Sequence, residues 1–150
     1  MMGLLLQFVL AVFATLGFAI IFRVPVRHMV PCVVVGALGW VTYEVTLYCI
    51  DSASVGCFVA ACAVGLLSTV CAYIFKDAST IFVIPGILCL VPGSKIFQTM
   101  EALLLHEMEN AAEIGLQTLT MAGSIAIGLL TVGAVSNIAI KIVKKLRTIV

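Results

Sequence analysis

From Leu4 to Phe22 the chain carries no charged residue. A bilayer core of about 30 Å is crossed by about 20 apolar residues, because a helix rises about 1.5 Å per residue. The pattern recurs along the sequence. Pro31 to Ile50 contains one charge, Glu44, and closes on Asp51-Ser52-Ala53-Ser54. Val55 to Phe75 is uncharged and closes on Lys76-Asp77. A fourth run covers residues 80–103, and a fifth extends from Leu116 to Ile140 before Lys141, Lys144, Lys145 and Arg147. These runs are continuous rather than alternating, so they predict helices and not a barrel. Isolated strands would leave backbone groups unpaired in lipid.

Composition agrees. Of 150 residues, 63% are hydrophobic and 10% charged, with a mean hydropathy of +1.29. A soluble domain carries about 25% charged residues, and a chain this small cannot hide so much apolar surface from water. Disorder requires the opposite balance. The net charge of +1 provides no polybasic surface for nucleic acid. The expectation is a single all-α integral membrane domain over residues 1–150, with spans near 4–22, 31–50, 55–75, 80–103 and 116–140. The partner it certainly needs is the lipid bilayer.

Charge sets the orientation. With five crossings, Arg23, Arg27, Lys76 and the basic C-terminal stretch share one side. Asp51, Glu107, Glu109 and Glu113 share the other. Positively charged connections stay in the cytoplasm, so the N-terminus is expected outside and the C-terminus inside. The start lacks a basic n-region and a cleavage site, which argues against a signal peptide.

The fourth run is the most informative. It holds Pro85-Gly86 and Pro92-Gly93, followed by Ser94 and Lys95. Proline removes a helical hydrogen bond and glycine permits non-helical dihedrals. Two such pairs predict a fourth helix broken at both. Freed backbone groups in a membrane must face protein or a wet cavity, and broken helices of this kind build the midplane sites of secondary transporters. The half-helix starting near Ser94 would present its positive end and Lys95 to a carboxylate. The competing reading is a proline kink that only shapes packing. Lys95 either lines a pathway or snorkels to an interface. Glu101 lies six residues on, off the face of Lys95, so a partner for Lys95 is expected from another helix. Glu44 shares a helical stripe with Trp40, Tyr48 and Asp51. It is either a titrating pathway carboxylate or part of an interfacial aromatic belt.

The remaining polar features are weaker. Residues 95–113 are amphipathic. His106 beside Glu107 and Glu109 forms a solvated acidic cap rather than a metal site. Ser124 and Gly128, like Ala61 and Gly65, are small pairs four apart, which mark close helix contacts in membranes. The six cysteines show neither Cys-x-x-Cys nor zinc-ligand spacing, and only Cys49 and Cys57, flanking the outer loop, are placed to meet. No phosphate loop, nucleophile elbow, zinc-protease helix or cofactor signature is present. The chain is therefore expected to be neither an enzyme nor a cofactor binder.

Gly17-Phe18-Ala19, Phe22 and Val24-Pro25-Val26-Arg27 resemble the first span and first loop of the threonine/serine exporter family. Gly36 and Gly39 match small residues of its second span. Ile84-Pro85, Val91-Pro92-Gly93 and Met100 resemble its broken-helix motif. The chain departs from that pattern at Lys95, where a small residue is usual, and at Glu44. In its length the chain resembles the short subunit of the family's split form, as in a two-component succinate exporter. The resemblance implies a bacterial inner-membrane subunit that exports a small carboxylate or amino acid, driven by an ion gradient, beside a larger polytopic subunit. It points to Pro85, Gly86, Pro92, Gly93, Ser94, Lys95, Glu44 and Glu101 as the residues to locate. The competing classes are a non-transporting assembly subunit and a self-sufficient homo-oligomeric channel.

Overall fold

The computed structural model describes the backbone of residues 2–149 and the side chains of residues 6–136 and 138. All regular structure among the described residues is helical: α1 (Met2–Ile21), α2 (Val26–Ile50), α3 (Ala53–Phe75), α4 (Thr80–Leu88), α5 (Gly93–Leu104) and α6 (Met108–Ile149).

The polar residues between the apolar runs are the helix stops. Arg23, Asp51, Lys76 and His106 each adopt a left-handed conformation, with φ between 52° and 62°. This lets the chain reverse while the last helical carbonyls stay paired. The amides of Val24, Asp77 and Glu107 reach back to the carbonyls of Ala19, Ala72 and Ala102 at 2.9, 3.2 and 2.9 Å. Glycine usually takes such positions. Here charged or polar side chains hold them, so the residue that ends each helix is also one that interrupts the apolar run.

α2 and α3 form the centre. α2 packs against α1, α3 and α4, α3 also contacts α4 and α6, and α5 touches α6 alone among the described helices. The core is built from small residues, among them Ala19, Ala37, Cys57, Ala60 and Ala61, with Phe82 the largest fully buried side chain. Between apolar helices in lipid, close approach replaces hydrophobic drive. The two small pairs expected to mark contacts lie on α3 and α6, and these helices do meet. A Cβ added to Gly128 would sit 2.9 Å from the Phe58 carbonyl oxygen and 3.0 Å from the Ala61 Cβ, and one on Gly65 would lie 3.1 Å from Val132. The periphery is apolar: Phe13, Val26, Leu116 and Leu130 are each more than 60% exposed. Such a surface needs lipid or protein against it.

α2, α3 and the Met108–Ser136 part of α6 are each long and apolar enough to cross a bilayer. α4 and α5 qualify only together, as a pair bent by 50°. The described apolar part of α1, Leu6–Ile21, is shorter. The helices outrun the expected spans at two places. α2 starts at Val26 and contains Pro31, and α6 starts at Met108. The basic residues at 141, 144, 145 and 147 lie outside the described side chains.

One expectation is corrected. The fourth run breaks once, at Pro92-Gly93, and Pro85-Gly86 lies inside α4. Pro85 cannot donate to the Ile81 carbonyl, which instead accepts the Cys32 thiol from α2 at 3.4 Å. Gly86 brings α4 down onto α2 and α3, where an added Cβ would meet Val35 and Val64 at 3.2 Å each. The first pair is a packing device.

Candidate functional site

The break is a tight turn. Without an amide, Pro92 cannot continue α4, and it adopts φ −75° and ψ 59°, the geometry of an inverse γ-turn. The Gly93 amide accordingly donates to the Val91 carbonyl at 2.7 Å. α5 then starts at Gly93 in a new direction. The amides of its first turn, at Ser94 and Lys95, have no intrahelical acceptor, and the helix dipole places partial positive charge there.

This turn borders a cavity of about 360 Å³ lined by Trp40 and Tyr43 of α2, Ala53 of α3, residues 89–95 and Met121 of α6. The volume lies at the small end of ligand sites, which run from about 300 Å³ upward. Trp40 and Cys89 also border a second cavity, of about 260 Å³, against α1. The turn is fastened to α1 by a polar contact. Thr15 donates to the Ala11 carbonyl at 2.8 Å, so the Cys89 thiol must be the donor in its 3.1 Å contact with Thr15 Oγ1.

Lys95 is half-buried. Its Nζ donates to Oε1 of Gln117 on α6 at 3.1 Å, and Gln117 Nε2 reaches Glu113 Oε1 at 3.5 Å. Lys95 thus has the expected partner from another helix, but that partner is a neutral amide. Among the described residues no carboxylate lies within ion-pair distance of Lys95, and the one contact of that kind joins His28 to Asp77, so the Lys95 charge is not cancelled by a carboxylate in contact. A cation, free amides and aromatic walls around a small cavity form a seat for a small anionic group.

The structure brings Pro92, Gly93, Ser94 and Lys95 together on this cavity. It places four other candidates elsewhere. Pro85 and Gly86 are buried at the contact of α4 with α2 and α3. Glu44 follows Tyr43 by one residue, about 100° round the helix, and is half-buried without lining the cavity. Glu101 is exposed on α5. All six cysteines are free, with Cys49 exposed and Cys57 buried. No metal-holding group of His, Cys, Asp or Glu exists among the described residues.

Two polar contacts escape a reading of the sequence. Gln117 is one, 22 residues from Lys95. The other is at the opposite end of the bundle, where buried His28 meets Asp77.

Residues 7–135 match the threonine/serine exporter (ThrE) family. The chain belongs to that family. The match covers all of the break cavity and the His28–Asp77 contact. Membership, together with the long apolar helices, makes the chain a membrane protein of an exporter family. The chain is also similar to an uncharacterized protein of Haemophilus influenzae, 27% identical over 100 residues, covering 67% of this chain. It spans about a third of that relative's length, 34%. No solved structure matches the chain.

Proposed function

We propose that this threonine/serine exporter family member is a subunit of a secondary exporter of small carboxylates or amino acids. It crosses the bacterial inner membrane five times, with the N-terminus outside and the C-terminus in the cytoplasm. The bent α4–α5 pair serves as the fourth crossing, and the chain works with a larger membrane subunit. The observation that carries the reading is the cavity at Pro92-Gly93, lined by Lys95 and capped by the first turn of α5. Substrate carboxylates, whether of succinate or of threonine and serine, are seated there by Lys95 and the free amides. The remaining length of the Haemophilus influenzae relative supports a larger partner. In that protein the matched stretch is a minor part of the chain.

The reading is tested in two steps. Purification in mild detergent from native membranes should bring down a larger polytopic subunit, identified by mass spectrometry of the co-purifying proteins. A chain that returns alone as a homo-oligomer overturns the split arrangement. Efflux of labelled succinate, serine and threonine is then measured with all subunits present. Lys95→Gln should weaken export of the dianion more than that of the zwitterions. Equal loss for both removes Lys95 from the site.

A further inference from the structure

His28 lies at the start of α2 and is 4% exposed. Its Nε2 donates to Asp77 Oδ2 at 3.0 Å. The ring is held edge-on by Phe75 and Phe82, with centroids at 5.3 and 5.5 Å. Nδ1 has no hydrogen-bond partner among the described residues, although it is fully buried. Leaving a buried polar atom unpaired forfeits its hydration without return. An imidazole needed only to tie α2 to the α3–α4 connection would not require that arrangement, because a hydroxyl could donate the same bond without a bare ring nitrogen.

Asp77 faces the other way as well. It is about 40% exposed and borders a cavity of about 340 Å³ shared with Thr69, Tyr73, Ser79 and Ser136. The couple therefore joins a water-accessible carboxylate to a dry imidazole with a free acceptor position. The other ionisable groups around it are accounted for. Arg27, next along α2, lies over the Phe75 ring at 5.9 Å. Arg23 and Lys76 are exposed on the adjoining connections. Cys32, one turn on, gives its thiol to the Ile81 carbonyl, and Cys71 packs beside it.

We infer that the His28–Asp77 couple is the proton-binding site that drives the exporter, an inference that rests on the transport reading above. A proton from the cavity binds the couple and resides on the imidazole at Nδ1. Because Asp77 contacts Nε2 alone, the proton reaches Nδ1 when the ring turns out toward the cavity, and Nε2 regains its bond to the carboxylate on return. The couple passes from a net charge of −1 to an internally balanced ion pair. That form carries no net charge, which lowers the cost of moving the couple away from water. Between this couple and the break lies only α4, nine residues and about 13 Å long. A change in the His28–Asp77 contact therefore has one short helix through which to reach the substrate cavity. Glu44, the carboxylate of α2, borders neither cavity.

The test uses the exporter with all its subunits in liposomes, comparing net accumulation driven by a pH gradient with substrate exchange at equal pH. With one unit of pH gradient, one-for-one coupling supports up to about tenfold accumulation in the wild type. His28→Gln and Asp77→Asn should bring accumulation close to unity and leave exchange intact. Accumulation that persists in both variants, or a wild type driven by sodium and indifferent to pH, overturns the proposal. Loss of exchange as well would signal damage to the fold. The wild-type imidazole then decides. In a His106→Gln chain, His28 is the single histidine, and nitrogen NMR with this chain alone labelled reads Nδ1 directly. Reversible appearance of a second ring N–H over the pH range that drives transport supports the site, and a ring with one bare nitrogen throughout overturns it. A wild type that moves no carboxylate or amino acid refutes the transport reading, whereas the nitrogen spectrum still reports on the couple.

Discussion

The Cys32 thiol on α2 supplies the hydrogen bond that Pro85 on α4 withholds from the Ile81 carbonyl, at 3.4 Å. The two residues are therefore energetically coupled although neither touches a substrate. Pro85→Ala restores a backbone donor, so Cys32→Ala should cost less in that background than in the wild type, with a coupling of about 1 kcal/mol. Unfolding of the purified protein in detergent measures all four corners of the cycle. Strict additivity would show that the thiol contributes only volume.

The two prolines should part company in function. Pro92→Ala lets α4 run on into α5 and closes the cavity, so export should vanish while the protein still inserts. Pro85→Ala should retain most export, because the break does not depend on it. Efflux assays with membrane-fraction blots decide, and wild-type export from Pro92→Ala would remove the break from the mechanism.

Gln117→Leu leaves the Lys95 ammonium without its amide acceptor. A hydrogen bond to a charged group is worth about 1.5–3 kcal/mol when buried and less at a half-exposed site. Export of dianionic substrate should fall about three- to tenfold, with zwitterions less affected. An unchanged KM for both classes would show that Gln117 does not hold Lys95 in place.

The α3–α6 contact gives a stability prediction with an internal control. Gly128→Leu forces a side chain against the Phe58 carbonyl and should destabilise by about 1–3 kcal/mol. Gly133→Ala lies on the same helix with nothing within 4 Å of the added Cβ. It should be neutral or stabilising by up to about 1 kcal/mol. Thermal unfolding in detergent separates them, and equal effects would place the helix contact elsewhere.

A reporter enzyme fused after Val150 checks the orientation. The arrangement with basic connections inside predicts a cytoplasmic signal, and an external one reverses the proposed orientation.

Much of this fold is legible in the sequence because it is local. Uncharged runs predict helices, Arg23, Asp51 and Lys76 mark their ends, and small residues at 61, 65 and 128 announce a close crossing. Pro92-Gly93 reads correctly because its effect is on its own backbone. Pro85-Gly86 carries the same signature and behaves differently, because the donor that rescues its helix sits on α2, 49 residues from Ile81. The same limit hides Lys95–Gln117, which depends on the register of α5 against α6, and His28–Asp77, which looks from sequence like two unrelated stop signals. Glu44 shows how little separates a lining residue from a neighbour. One step along the helix turns it away from the wall that Tyr43 forms.

Pro92 also divides the chain into two mechanical neighbourhoods. Within the bent pair, α4 before it is clamped among α1, α2 and α3, whereas α5 after it leans on α6 alone among the described helices. Damage within the bent pair should therefore sort by address: substitutions in α4 register as lost thermal tolerance, and substitutions in α5 leave the bundle standing but change its throughput.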